Sequence, residues 1–233
     1  MRLIKLSEAE GQTRMEFAGC NMKCPYCVHI HQPFNEIPLE KALEFARSSA
    51  MKTVYLGGAE PTLQKELRPL LEGLHAAGKQ VLLKSNGMKP DVIEQALPLI
   101  HGLVLDIKAS LDDVDGIMEL TGMSRERTVK YRDLLERSLD IAKQKWLRVW
   151  VRVIPEYVNK ETIHRILPDV EGADEMMLYQ FMSKTDFDRP FLGHKEPTPS
   201  WEELEELGKI ALEKIPKRSE ERRVGKECRY RWS

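Results

Sequence analysis

Residues 52–58, Lys52-Thr-Val-Tyr-Leu-Gly-Gly58, and residues 80–87, Gln80-Val-Leu-Leu-Lys-Ser-Asn-Gly87, decide how this chain is read. Each is a short apolar run that reads as a strand and ends in a glycine turn signal. Between them, Leu63 to Ala77 has helical periodicity and is stopped by Gly78. Strand, helix and strand at this spacing predict a parallel pair joined by a helical crossover.

The pattern repeats outward. Upstream, residues 13–18 alternate and predict a first strand, and Leu39 to Arg47 an amphipathic helix with Leu39, Ala42, Leu43 and Ala46 on one face. Downstream come a helix over 91–100, a strand over 102–108 and a polar region with Gly116 and Gly122. A long helix over about 124–144, a strand over 147–154 closed by Pro155 and a helix near 160–167 follow. A strand over 175–181 and a last helix over 200–213 complete the series. About six strand–helix units imply an α/β fold: a parallel sheet with helices outside, either open or partly closed into a (β/α)6 barrel. In such folds the working residues sit after the carboxyl ends of strands. The unusual motifs all fall there: Cys20–Cys27, Gly57–Pro61, Lys84–Gly87, Asp106–Lys108, Arg152–Pro155 and Gln180.

The chain has 233 residues, 42% of them apolar, which suits one domain with a sizeable core. A formal net charge of −1 gives no drive toward nucleic acid or an acidic membrane. No apolar run approaches a membrane span, and the opening Met1-Arg-Leu-Ile-Lys-Leu6 lacks the apolar core of a signal peptide, so a cytoplasmic location is expected. Residues 219–233 differ in character: basic, without helical or strand period. They resemble translated sequencing-adapter read-through; the other readings are a disordered basic tail and, more weakly, a nucleic-acid-binding one. On the first reading residues 1–218 form the single domain and Cys228 has no role.

Cys20, Cys24 and Cys27 have C-x3-C-x2-C spacing just after the first predicted strand. Such clustering suits a metal or cluster site in a reducing compartment, not a disulfide framework. A four-iron cluster normally takes four thiolates. Three would leave one iron open to another ligand. Two rival readings are a Cys3His zinc site completed by His29 or His31, and a non-catalytic cluster used for electron transfer.

The cysteine motif, with Tyr26 before its third member, resembles the radical S-adenosylmethionine (SAM) enzymes. The wider pattern is similar to their glycyl-radical-enzyme activases, of which pyruvate formate-lyase activating enzyme is the best known. The matching stretches are Arg14-Met-Glu-Phe-Ala-Gly-Cys-Asn21, Gly57-Gly-Ala-Glu-Pro-Thr-Leu-Gln64, Ser85-Asn-Gly87, Leu105-Asp-Ile-Lys108 and Val151-Arg-Val-Ile-Pro155. The resemblance implies a [4Fe-4S] cluster on Cys20, Cys24 and Cys27, with SAM on the open iron. It implies reductive cleavage of SAM to a 5′-deoxyadenosyl radical that abstracts a hydrogen atom. It places Tyr26 by the adenine, and Gly57, Gly58, Ala59 and Glu60 around the methionine amino group. Ser85 and Asn86 come near the ribose or carboxylate, and Arg152 becomes a candidate carboxylate clamp. Ala59 stands where relatives usually have glycine. Lys84 stands where activases often have an aspartate that, with the Asp106 position, helps to hold a monovalent cation. The expectation is therefore that the Lys84 ammonium replaces that cation, pairing with Asp106 and the SAM carboxylate. Lys108, two residues on, shares a strand face with Asp106.

By the same resemblance an electron donor such as flavodoxin or ferredoxin is a partner. The substrate is a glycyl residue of a partner enzyme, or else a small molecule or peptide. His29 and His31 could shield or tune the cluster or be ordinary loop residues. His194 could belong to the substrate side. Met176, Met177 and Met182 read as packing residues.

Overall fold

The computed structural model describes residues 1–27, 29–181, 198–224 and 227–232, with side chains at these positions except residue 30 and those beyond 217. Two antiparallel strands open the chain, β1 (Arg2–Ala9) and β2 (Gln12–Phe17), and the short β3 (Asn35–Glu36) pairs back on β1. Then follow α1 (Leu39–Ser48), β4 (Thr53–Gly58), α2 (Leu67–Ala76), β5 (Gln80–Ser85), α3 (Pro90–Ala96) and β6 (Gly102–Ile107). The second half runs α4 (Val114–Thr121), α5 (Arg125–Ala142), β7 (Trp146–Val153), α6 (Lys160–Asp169), β8 (Glu175–Gln180) and α7 (Trp201–Ala211). β2, β4, β5, β6, β7 and β8 pair in parallel in that order, the six-unit sheet expected. Two more strands, β9 (Lys217–Val224) and β10 (Glu227–Trp232), extend the sheet beyond β8, although the sequence there shows no strand period.

The two faces of this sheet differ. Met15, Val54, Leu56, Val81, Leu83, Leu103, Leu105, Leu147, Val149 and Leu178 are all fully buried toward the helices, in one continuous apolar core. The alternate positions carry Arg14, Tyr55, Lys84, Asp106, Trp150, Arg152 and Tyr179, and these line one cavity. A parallel sheet covered by helices on both faces reads as unbroken apolar runs. Here β7, Trp146-Leu-Arg-Val-Trp-Val-Arg-Val153, is buried only at every second residue. Its other face therefore looks into a polar interior. Strands as distant as β2 and β8 share the cavity wall, so the sheet curves into a partial (β/α)6 barrel with helices outside.

Three further elements depart from the sequence expectation. β1 was not anticipated; it adds a wall beside β2. The region with Gly116 and Gly122 holds α4, because the Asp113 side chain accepts from Gly116 N at 2.9 Å and Gly122 ends the helix at φ 68°. The helix expected from Leu63 starts at Leu67, since Pro61–Leu63 form a tighter 3-10 turn. The loop carrying Met182 and His194 lies outside the described residues.

Gly58, at the end of β4, has φ 85°, and a Cβ there would lie 2.6 Å from Phe17 N and 2.7 Å from Phe17 O. Both obstacles are backbone and cannot swing away. Gly58→Ala is expected to destabilise the protein by roughly 2–4 kcal/mol, as positive-φ strain and the clash combine. Chemical denaturation of the two proteins measures the difference.

Candidate functional site

The site is built where the loop after β2 meets the ends of β4 and β5. Ala59 N donates to Phe17 O at 2.8 Å and Glu60 N to Gly19 O at 3.0 Å, joining the cysteine loop to the end of β4. The Glu60 side chain is fully buried. Its Oε1 accepts from Thr62 N (3.2 Å), Thr62 Oγ1 (2.5 Å) and Ser85 Oγ (3.0 Å), and its Oε2 from Asn86 N (2.8 Å). Burial pushes this carboxyl group up, and the four donors oppose that shift. Gln64 is a second brace: it donates from Nε2 to Ala18 O at 3.0 Å, and its Oε1 accepts from Arg2 N at 3.1 Å. From the helix side, Arg127 donates to Asn21 O at 3.0 Å.

Within the loop, Cys27 N donates to Cys24 O at 3.0 Å, and Met22 N reaches Cys20 Sγ at 3.3 Å. All three cysteines are free thiols. They line a cavity of about 550 Å³ together with Tyr26, Gly58, Ala59, Lys84, Asn86, Asp106, Lys108 and Arg152. That is the size range of small-ligand pockets. Burial pushes the Cys20 thiol up to about 11 and raises Cys24 as well, so iron or another metal would have to displace their protons. Among the described residues no three His, Cys, Asp or Glu side chains converge on a point that would hold a single metal ion. A multi-iron cluster, whose thiolates bind different irons, does not need that convergence.

Opposite the loop stand cations. Asp106 Oδ2 lies 3.2 Å from Lys84 Nζ and 2.9 Å from Lys108 Nζ. Lys84 therefore points into the barrel and pairs with Asp106. Burial alone would raise the Asp106 carboxyl, but Lys108 and Lys84 outweigh it and hold the group well below the ordinary range. Burial works against the Lys108 charge too, and Asp106 more than offsets it, raising that ammonium well above its usual value. The rings complete the wall: Lys84 Nζ lies 4.7 Å from the Trp150 centroid and Lys108 Nζ 5.4 Å from that of Tyr26. The Arg152 guanidinium lies 4.5 Å from the Tyr179 ring and 5.6 Å from Tyr26.

Most of the expected site residues thus share one cavity, but not all do. Gly57 lies beside the Tyr55 ring, and Glu60 and Ser85 sit behind the wall, bonded to each other. Gln180 is buried and donates to Pro199 O at 2.7 Å, tying the end of β8 to the start of α7. His29 lines the cavity, and His31 is exposed. Met176 and Met177 are buried, as expected of packing residues. Sequence reasoning missed Asn21, Gln64, Trp150 and Tyr179. Trp150 and Tyr179 could have been found from strand alternation, since both share a face with Arg152 or its pairing partner.

The sequence profile of the Radical SAM superfamily matches residues 17–142. A protein of Methanocaldococcus jannaschii, described as a proposed glycyl-radical enzyme activating enzyme, is 29% identical over 214 residues, covering 84% of this chain and 83% of its own length. Among solved structures, a radical SAM methyltransferase from Sphaerobacter thermophilus matches 94% of this chain and 69% of its own with a TM-score of 0.67 at 14% identity. Streptococcus suis SuiB bound to S-adenosylmethionine matches 83% of this chain and 44% of its own, with a TM-score of 0.64 and 16% identity. At such identities the structural likeness speaks to the fold.

Asp106→Asn would leave Lys84 and Lys108 facing each other without their shared anion. A loss of roughly 2–4 kcal/mol is expected at pH 7. Because the folded Asp106 pKa is depressed, its contribution is present above the unfolded value near pH 4 and is lost as acid protonates the folded carboxylate. The gap between wild type and variant should therefore narrow as pH falls below about 4, which denaturation series across pH measure.

Proposed function

This chain belongs to the radical SAM superfamily, enzymes that use a [4Fe-4S] cluster and SAM, and from that premise we propose that it is an activase-like hydrogen-abstracting enzyme. The observation that supports this most is one cavity lined both by all three cysteines and by Lys84, Lys108 and Arg152. The residues fit the cofactors. Three free thiols suit a cluster with one open iron. The buried indole Nε1 of Trp150, a residue of the same cavity wall, has no hydrogen-bond partner among the described residues. When bound, the cluster and SAM would supply the radical chemistry that removes a hydrogen atom from substrate.

The chain's own residues supply position and charge. Cys20, Cys24 and Cys27 would hold the cluster. Gly58 and Ala59 form a stretch of wall without long side chains, suited to backbone approach by the methionine part of SAM. Arg152, held between two tyrosine rings, and the Lys84 ammonium, fixed by Asp106, would face its carboxylate. The Tyr26 ring would stack near the adenine. Glu60 and Ser85 act one step back, by setting the backbone of Asn86 and the β4 end. In this reading residues 1–218 form the working domain, and a flavodoxin- or ferredoxin-like protein supplies the electron.

The activating-enzyme relative favours a glycyl residue of a partner enzyme as the hydrogen donor. A small molecule or peptide is the second reading, favoured by a second pocket of about 210 Å³ that shares Arg14, Tyr55 and Trp150 with the cavity.

Anaerobically reconstituted protein is expected to contain iron and sulfide, to change its reduced EPR spectrum on adding SAM, and to release 5′-deoxyadenosine. Alanine at Cys20, Cys24 or Cys27 should abolish that release. An iron-free, zinc-bearing protein would overturn the reading. With Lys84 in place, potassium should not change the rate of SAM cleavage; a rate that requires potassium would remove Lys84 from the role of built-in cation.

A further inference from the structure

Cys20 lies against the side-chain amide of Asn86, a residue so far placed only beside the ribose or carboxylate of SAM. Asn86 Nδ2 is 3.7 Å from Cys20 Sγ and 2.8 Å from Asn21 Oδ1. We propose that Asn86 raises the reduction potential of the cluster by donating an N–H to the Cys20 sulfur. This rests on the cluster reading above.

The orientation of the amide follows from its surroundings. Asn86 Oδ1 accepts from Met88 N at 3.0 Å. Turning the amide over would set its NH2 against the Met88 N–H, and its oxygen against Asn21 Oδ1. The carboxamide nitrogen therefore faces the cysteine loop, with one hydrogen for Asn21 and one for the sulfur. The residue itself cannot drift. Its backbone N–H is bonded to the buried Glu60 carboxylate at 2.8 Å, and only 6% of the residue is exposed. The Met22 N–H, at 3.3 Å, supplies a second donor to the same sulfur. Cys20 is thus the ligand sulfur that two N–H groups, one side chain and one backbone, approach.

A hydrogen bond to a ligating thiolate matters because negative charge on sulfur grows when a cluster gains an electron. Donors fixed in advance stabilise the reduced form more than the oxidised one and shift the potential upward. The Asn86 amide is neutral, so it acts through this local dipole, unlike the charged Lys84, Lys108 and Arg152. It is a positioning and tuning residue, separate from any contact it makes with SAM.

The test compares reconstituted wild type with Asn86→Asp and Asn86→Leu, each checked for iron and sulfide, by EPR-monitored redox titration without SAM. Asn86→Asp keeps the acceptor for Met88 N and loses the donor; Asn86→Leu loses both. Both midpoints are expected to fall below that of wild type, further for the anionic aspartate, so a smaller fraction is reduced at a fixed potential. Of the exchangeable protons coupled to the cluster in wild type, seen by ENDOR, one should disappear in both variants while that of the Met22 N–H remains. A loaded Asn86→Leu protein with an unchanged midpoint overturns the proposal, even if it melts earlier, because that pattern is structural only. Should neither variant take up a cluster, Asn21→Ala decides: it keeps Asn86 but removes the acceptor that aims its amide. A smaller downward shift supports the proposal, and an unchanged midpoint overturns it. Wild type that binds no iron and sulfide would instead refute the cluster reading itself.

Discussion

The buried carboxylate of Glu60 is the tie on which the site depends. It gathers donors from Thr62, Ser85 and Asn86, while the backbone N–H groups of Ala59 and Glu60 bond to Phe17 and Gly19. Three strand ends and the cysteine loop are thereby fixed to one another. A buried polar network of this kind holds only when all its members are satisfied. It therefore allows little freedom in where the loop lies. Gly58 belongs to the same constraint, because the loop and β4 approach too closely for any side chain there.

Around that tie the sheet divides its labour. Its outer face buries aliphatic side chains under the helices and supplies the stabilising apolar core. Its inner face carries charges that would be costly to bury alone. They are tolerated there because Asp106 sits between two ammoniums and because Lys84, Lys108 and Arg152 rest on aromatic rings. A smaller apolar patch of Tyr55, Leu82 and Val104, flanked by Trp146 and Trp150, forms the inner floor. The result is a preformed cationic wall facing three thiols, an arrangement suited to an anionic cluster and a carboxylate-bearing cofactor.

Much of this was legible in the chain. Alternating strand and helix periods placed the motifs at strand ends, and the C-x3-C-x2-C spacing located the cysteine loop. The Lys84–Asp106 pairing came from the family resemblance, and neighbouring parallel strands bring the two residues together. β1 was not legible: its exposed, half-polar pattern carries weak periodicity, and its pairing with β2 is a contact between segments. Nor was the placement of Glu60, which the family resemblance set beside the ligand and which is turned inward onto Thr62, Ser85 and Asn86.

By itself the sequence determined the alternation of the six parallel strands with their helices and the loop that gathers the cysteines. These are local properties, set by side-chain period and turn chemistry. The tertiary structure alone decided that the sheet curves into a partial barrel, that Asn86 rather than Ser85 faces the cysteine loop, and that Arg152 stands between two rings. Those depend on strand curvature and on which buried polar groups find partners across long sequence separations. No local period encodes either of them.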